Sequence, residues 1–287
     1  MSAQNHSQEN DVILIAYDGS QPAKAGARLA VRTAAAMQKT IRGLYVVDTN
    51  LVFDPYNSTR AELGHPESGP DREENAVDDF QSYGRQELGW LDNLGREFGV
   101  PIDSEVVFGN TGKLLEEAAS NAFMVAFGRR GRSRAEERNT LGRHFRQIAN
   151  HISPPIIAGG DRQVKIRKGL LAYDMKEQTQ HALAWALMME RALGIEMDAV
   201  SVVEPAQDAQ AHIRQVHERL VTAGLPNSDV LTPVGDPAAE ILKAIDQTKA
   251  DLLVIGCNEM TNVLDWISGS TLDKVLRGSQ VPALIAG

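Results

Sequence analysis

The feature that most constrains this chain is that its pattern of apolar runs and glycines occurs twice. Val12-Ile13-Leu14-Ile15-Ala16-Tyr17-Asp18 is answered by Gly169-Leu170-Leu171-Ala172-Tyr173-Asp174 at an offset of 156, and Leu44-Tyr45-Val46-Val47-Asp48 by Val200-Ser201-Val202-Val203-Glu204 at the same offset. Further on the offset falls to about 128: Gly109 pairs with Gly235, Gly128 with Gly256, and Pro154-Pro155-Ile156-Ile157-Ala158-Gly159 with Pro282-Ala283-Leu284-Ile285-Ala286-Gly287. The drop of 28 marks an extra acidic segment in the first copy. Repetition at this length describes a duplicated domain.

Within each copy the local signals alternate between strand and helix. Met124-Val125-Ala126-Phe127-Gly128 and Leu252-Leu253-Val254-Ile255-Gly256 are short apolar runs ending in glycine, as a parallel strand covered on both faces requires. Pro22 opens an Ala-rich stretch whose apolar positions Ala25, Leu29, Ala30, Thr33 and Met37 recur at helical spacing. Helical periodicity returns from Val77 through Leu88, Leu91 and Leu94 to a Gly99-Val100-Pro101 stop, and Thr111 can cap a further helix. After the fourth strand, Leu141 to Ile152 reads as a helix and Pro154 to Gly159 as a final strand. Each unit is therefore β-α-β-α-β-α-β-loop-α-β, with short connections that imply parallel strands and right-handed crossovers. The expected fold class is α/β: two tandem Rossmann-like domains, each a five-stranded, mostly parallel sheet with flanking helices. Residues 1–10 read as a disordered N-terminus, 11–161 as the first domain with a flexible acidic insertion near 51–75, and 162–287 as the second.

Composition excludes several classes. A formal net charge of −9 argues against a general nucleic-acid binder, which draws on Lys and Arg to neutralise phosphates. One cysteine, Cys257, leaves neither an internal disulfide nor a cysteine metal pair and fits a reducing, cytoplasmic setting. No run of about 18 apolar residues marks a membrane span. His212 and His217 miss the same-face helical spacing, so no metal site is expected. Neither a Gly-x-Ser-x-Gly elbow nor a Gly-Lys-[Ser/Thr] phosphate loop appears, and no catalytic residue is assigned.

What remains is a binding site at the strand ends. Asp18 and Asp174 stand where the first strand of each half stops, and Gly128 and Gly131 open the fourth strand of the first half into a basic loop. Glycines let backbone N–H groups approach an anion without a Cβ in the way. Asp18 before Gly19-Ser20 reads equally as a turn or helix-cap element. Arg129, Arg130, Arg132, Arg134, Arg138, Arg143 and Arg146 crowd the same region, where guanidinium groups could pair with phosphate or simply form a solvated basic face.

These marks together resemble the universal stress protein family in its tandem form, over nearly the whole chain after Asn10: the terminal acid of the first strand, the Val-Val-acid strand end and the Gly-x-x-Gly loop. The resemblance implies an adenine nucleotide alpha hydrolase-like fold and, in nucleotide-binding members, a loop G-x2-G-x9-G-[S/T] holding the phosphates, with adenine near the acid and a second-strand valine. Carried over to this sequence, it names Asp18, Val46, Gly128, Gly131, Gly142 and Arg143 in the first half, and Asp174, Val202, Gly256, Gly269 and Ser270 in the second. The implied cofactor is ATP or another adenine nucleotide, with or without Mg²⁺. The implied role is stress-response regulation, with pairing of the final strands across the two domains and a homodimer of chains. Departures from the pattern matter. Glu259 stands where the second glycine of the second half belongs, and the first half lacks the hydroxyl: an ungapped match sets Gly142 opposite Ser270, whereas one extra loop residue sets Arg143 there. A scaffold in which both sites have decayed, and a binder of another small anionic metabolite, are the alternative functions.

Overall fold

The computed structural model describes residues 11–49, 76–131, 140–149, 151–162, 165–204, 208–257 and 270–287. The expected disordered N-terminus and acidic insertion lie outside them.

The first half runs β1 (Val12–Ala16), α1 (Gln21–Met37), β2 (Thr40–Asp48), α2 (Ala76–Phe98), β3 (Ile102–Gly109), α3 (Thr111–Ala119), β4 (Met124–Gly128), α4 (Arg143–Ala149) and β5 (Ile156–Gly159). The second repeats the plan with β6 (Lys168–Ala172), α5 (Gln180–Leu193), β7 (Glu196–Val200), α6 (Ala209–Ala223), β8 (Val230–Leu231), α7 (Pro237–Thr248), β9 (Leu252–Gly256), α8 (Thr271–Gly278) and β10 (Ala283–Ala286). Helix α4 is shorter than the run from Leu141 to Ile152 suggests. His151 N–H reaches only to Ile148 O, and the Pro154-Pro155 pair follows, which cannot continue a helix.

The ends of α1 show how local chemistry sets the elements. Ser20 Oγ accepts from Ala23 N at 3.2 Å, Pro follows in the first turn, and Gln38 closes the helix in the left-handed conformation. A cap of this kind contributes about 1 kcal/mol.

Both halves join in one ten-stranded sheet, in the order β3-β2-β1-β4-β5-β10-β9-β6-β7-β8. Every pairing is parallel except the central one, where β10 meets β5 antiparallel with Ala283 opposite Ala158, Leu284 opposite Ile157 and Ile285 opposite Ile156. The expected pairing of the final strands across the halves is thus present, and it buries two strands that would otherwise be exposed edges. Strand alternation sorts the core into two layers. Ile13, Ile15 and Tyr17 face the side covered by α1, α2, α5 and α6, whereas Leu14, Val125 and Phe127 face α3, α4, α7 and α8.

The order also fixes where a ligand can sit. From β1 the chain moves outward to β2 and β3, then returns to place β4 on the other side of β1. Strand order reverses between β1 and β4, and again between β6 and β9. In open parallel sheets, clefts for ligands form beyond the carboxyl ends of strands at such reversals.

Candidate functional site

At the carboxyl end of β1, Asp18 turns the chain into α1. Its Oδ1 accepts from Ser20 N at 2.9 Å, and Gly19 between them has φ +77°, a conformation that disfavours any side chain. The turn reading of Asp18 is therefore present, and it leaves the second carboxylate oxygen pointing toward the loop after β4. A Cβ built on Gly131 would lie 3.3 Å from Asp18 Oδ2, with no other described atom within 4 Å. Register brings in Val46: Ala16 pairs with Leu44, and Tyr17 N donates to Leu44 O at 2.8 Å, so the next pair along is Asp18 beside Val46. Half-buried Val46 packs on the same layer as Ala16 and Val107.

The loop after β4 is closed by backbone. Gly142 N donates to Arg129 O at 2.7 Å, and a Cβ on Gly142 would approach Arg129 O at 3.3 Å and Gly131 N at 3.7 Å. Asp18, Gly131 and Gly142 thus meet at one point beyond the reversal between β1 and β4. Gly128 serves another purpose: a Cβ there would stand 2.8 Å from Ala23 N, so the glycine lets the first turn of α1 lie directly on the end of β4.

Helix starts choose between the two alignments of the loop. Gly142 O accepts from Arg146 N and Ser270 O accepts from Lys274 N, so both are cap positions, exactly one unit of 128 residues apart in the repeat. Ser270 Oγ also accepts from Asp273 N at 3.2 Å. Gly142 is therefore the counterpart of Ser270, and Arg143 is the first residue of α4 rather than a replacement for the serine.

The arginines divide. Arg129 is 3% exposed and Arg130 6%, and neither lies on a solvated face. The Arg129 guanidinium donates to Gly159 O (3.0 Å), Leu276 O (2.6 Å) and Val281 O (3.2 Å), while Arg130 pairs with Asp161. Burial pulls Arg129 down to about 10; nearby Asp161 opposes this and the Arg130 charge adds to it. The expectation that these two arginines replace a missing phosphate donor is corrected: the Arg129 guanidinium is buried against three backbone carbonyls, two of them in the second half, and Arg130 pairs with Asp161 at the end of the first. Arg132, Arg134 and Arg138 lie outside the described residues.

One contribution is absent from the sequence reading. Helix α2 lays Glu87 over the β1–α1 turn, where its Oε2 would be 2.2 Å from a Cβ on Gly19. Tyr83 O–H donates to Glu87 Oε1 at 3.0 Å. Burial raises the Glu87 carboxyl, Lys24 lowers it and Asp18 raises it further. Behind this group Trp90 stacks on Tyr17, with ring centroids 5.5 Å apart, and Lys24 and Arg28 flank the indole. The 3.6-residue spacing of Tyr83, Glu87 and Trp90 was a visible signal that they share a face.

The second half is built differently at the same place. Asp174 keeps the turn, accepting from Lys176 N at 3.0 Å and Thr179 Oγ1 at 2.9 Å, with Met175 at φ +63° in the position of Gly19. Lys176 Nζ lies 3.1 Å from its other oxygen. Burial pushes the Asp174 carboxyl up, but these hydrogen bonds and the Lys176 charge outweigh it and hold the group below the usual range. Val202 matches Val46 on its layer, and Gly256 pairs with Ala286. Gly269 and Glu259 lie outside the described residues. Among the described residues, no cluster of His, Cys, Asp and Glu is gathered for a metal, and no helix is long and apolar enough to cross a membrane.

Comparison with known proteins follows the duplication. The family model described as the universal stress protein family matches residues 9–158 and again 165–287. A universal stress protein of Synechocystis sp. is 26% identical over 188 residues, 64% of this chain; the match spans 65% of that relative, slightly under two thirds of its length. A universal stress protein of Thermus aquaticus is 31% identical over 130 residues, 40% of this chain and 95% of its own. Among solved structures, a universal stress protein from Archaeoglobus fulgidus superposes with a TM-score of 0.74 at 20% identity, over 96% of this chain and 98% of that one, a likeness of fold.

Proposed function

Because this chain belongs to the universal stress protein family, we propose that it is a stress-response regulator that binds an adenine nucleotide, ATP or AMP, in its first half and does not turn it over. The observation that carries the reading is the meeting of Asp18, Gly131 and Gly142 at the reversal between β1 and β4. A carboxylate oxygen there can accept from the amine or hydroxyl donors of a nucleoside, and backbone without side chains can approach phosphate. The asymmetry favours the first half. By sequence the second half carries Glu259 at the position of Gly131, and a carboxylate there would repel phosphate. In this reading the units are residues 11–161 and 162–287, occupancy alters shape or partner choice, and two chains associate as a homodimer in the cytoplasm.

The test is to denature freshly purified protein, identify any released nucleotide by mass and count it per chain, then titrate ATP into protein freed of ligand. About one nucleotide per chain is expected. Gly131→Val should weaken binding roughly fivefold or more, since filling a fitted space costs about 1–3 kcal/mol. The variant should still fold, because among the described residues, chain neighbours aside, only the Asp18 carboxylate neighbours that Cβ. No released nucleotide and no binding on titration would leave the scaffold reading in its place.

A further inference from the structure

Arg129 belongs to the first-half loop by its backbone, and its side chain, anchored on Gly159 O, reaches across into the second half. Its carbonyl receives Gly142 N, which closes the loop, while its guanidinium holds Leu276 O in the last turn of α8 and Val281 O just before β10. The other end of α8 is capped by Ser270, a residue of the second candidate site. One helix therefore has the second site at its N-terminus and the first-site loop gripping its C-terminus. Lys274 ties the same helix to Asp236 at the start of α7. The link has no symmetric counterpart. Cys257 stands 128 residues after Arg129, and a thiol cannot return a three-carbonyl grip.

We infer that Arg129 is a coupling residue, which transmits a change in the first-half loop to α8 and through it to the second site. The physical reason is rigidity. A guanidinium presents its donors in a planar fork, and each acceptor here is a backbone carbonyl. Breaking these bonds would leave a buried charge unpaired, which costs more than moving the helix as a body. A backbone shift at 129–131 that accommodates a ligand therefore moves α8 with it. The identity of the ligand rests on the adenine-nucleotide reading above; the mechanical link does not.

The experiment is amide hydrogen exchange of α8 in the full chain, with two separate perturbations of the first loop. The first is saturating ATP with Mg²⁺, and the second is Gly131→Val without ligand. Each should change α8 exchange roughly fivefold or more, the low end of ordinary allosteric coupling. In an Arg129→Met background both effects should vanish while ATP binding persists; Arg129→Lys, which keeps the charge but loses the fork, serves if the methionine variant does not fold. Reciprocity requires that Ser270→Ala, at the far end of α8, shift ATP affinity at the first site. If ATP fails to bind but Gly131→Val still moves α8 through Arg129, the nucleotide reading falls and the coupling stands. If α8 ignores both perturbations, or responds equally without the arginine, the coupling is overturned.

Discussion

Glu87 enters the candidate site from α2, nearly seventy residues beyond the turn it touches, and its carboxyl sits against Gly19, Asp18, Lys24 and the Tyr83 hydroxyl. Burial raises it, so the folded protein binds the Glu87 proton more tightly than the unfolded chain does. Its contribution to stability is complete below the unfolded value, near 4.5, and is lost as pH rises through the raised folded value. Glu87→Gln, which keeps the shape and removes the charge, should therefore gain stability relative to the parent as pH goes from about 4 to 7. Urea midpoints of the two proteins across that range check the sign; a constant difference would remove Glu87 as the source. Of the residues at this site, Asp18 and the glycines were legible because their positions follow strand ends. The arrival of Glu87 was not, because it depends on how α2 lies on the sheet.

At the scale of elements, the two copies solve one packing problem in opposite ways. In the first, α2 presents Gly84 to Tyr45 of β2, and a Cβ on Gly84 would come within 2.8 Å of the Tyr45 ring. In the second, α6 presents His212 to Ser201, the residue after β7, and the buried pair is joined by a hydrogen bond of 2.8 Å between Ser201 Oγ and His212 Nε2. Tyr45 and Ser201 are related by the offset of 156, Gly84 and His212 by that of 128, so large-on-small in one half is small-on-large in the other. Gly84→His alone should destabilise by about 1–3 kcal/mol through overpacking. Tyr45→Ser alone should cost about 3–5 kcal/mol through the cavity it leaves. The double variant should be more stable than the sum by more than about 1 kcal/mol, as residues in contact couple. Additive losses in chemical denaturation would show that the exchange is not compensatory.

The whole molecule is one sheet. The antiparallel pairing of β5 with β10 sets Ile157 against Leu284 in the middle of ten strands, and Arg129, which donates to Leu276 O and Val281 O, and Arg32, which donates to Ile166 O at 3.3 Å, cross the same boundary. A half that unfolded alone would expose a fully apolar strand edge and strand a buried guanidinium. The chain should therefore unfold in one cooperative step rather than domain by domain. Fluorescence of variants that retain only Trp90 or only Trp185, one in each half, should give coincident urea transitions. Leu284→Asp, which buries a charge at the join, should separate them or unfold both.

By itself the sequence determined the duplicated α/β plan, the strands and helices, and the candidate glycines and acids. Those features are carried by local periodicity, by glycine at strand ends and by repetition along the chain. It left open which alignment of the loop applies and what the arginines do. Helix starts at Gly142 and Ser270 answered the first, since a cap is defined by the hydrogen bond its carbonyl accepts. Only the tertiary structure decided the second. A guanidinium next to a glycine loop looks the same in sequence whether it faces a phosphate or a carbonyl. For Arg129 the carbonyls lie 147 and 152 residues away, brought within reach only when β5 and β10 pair.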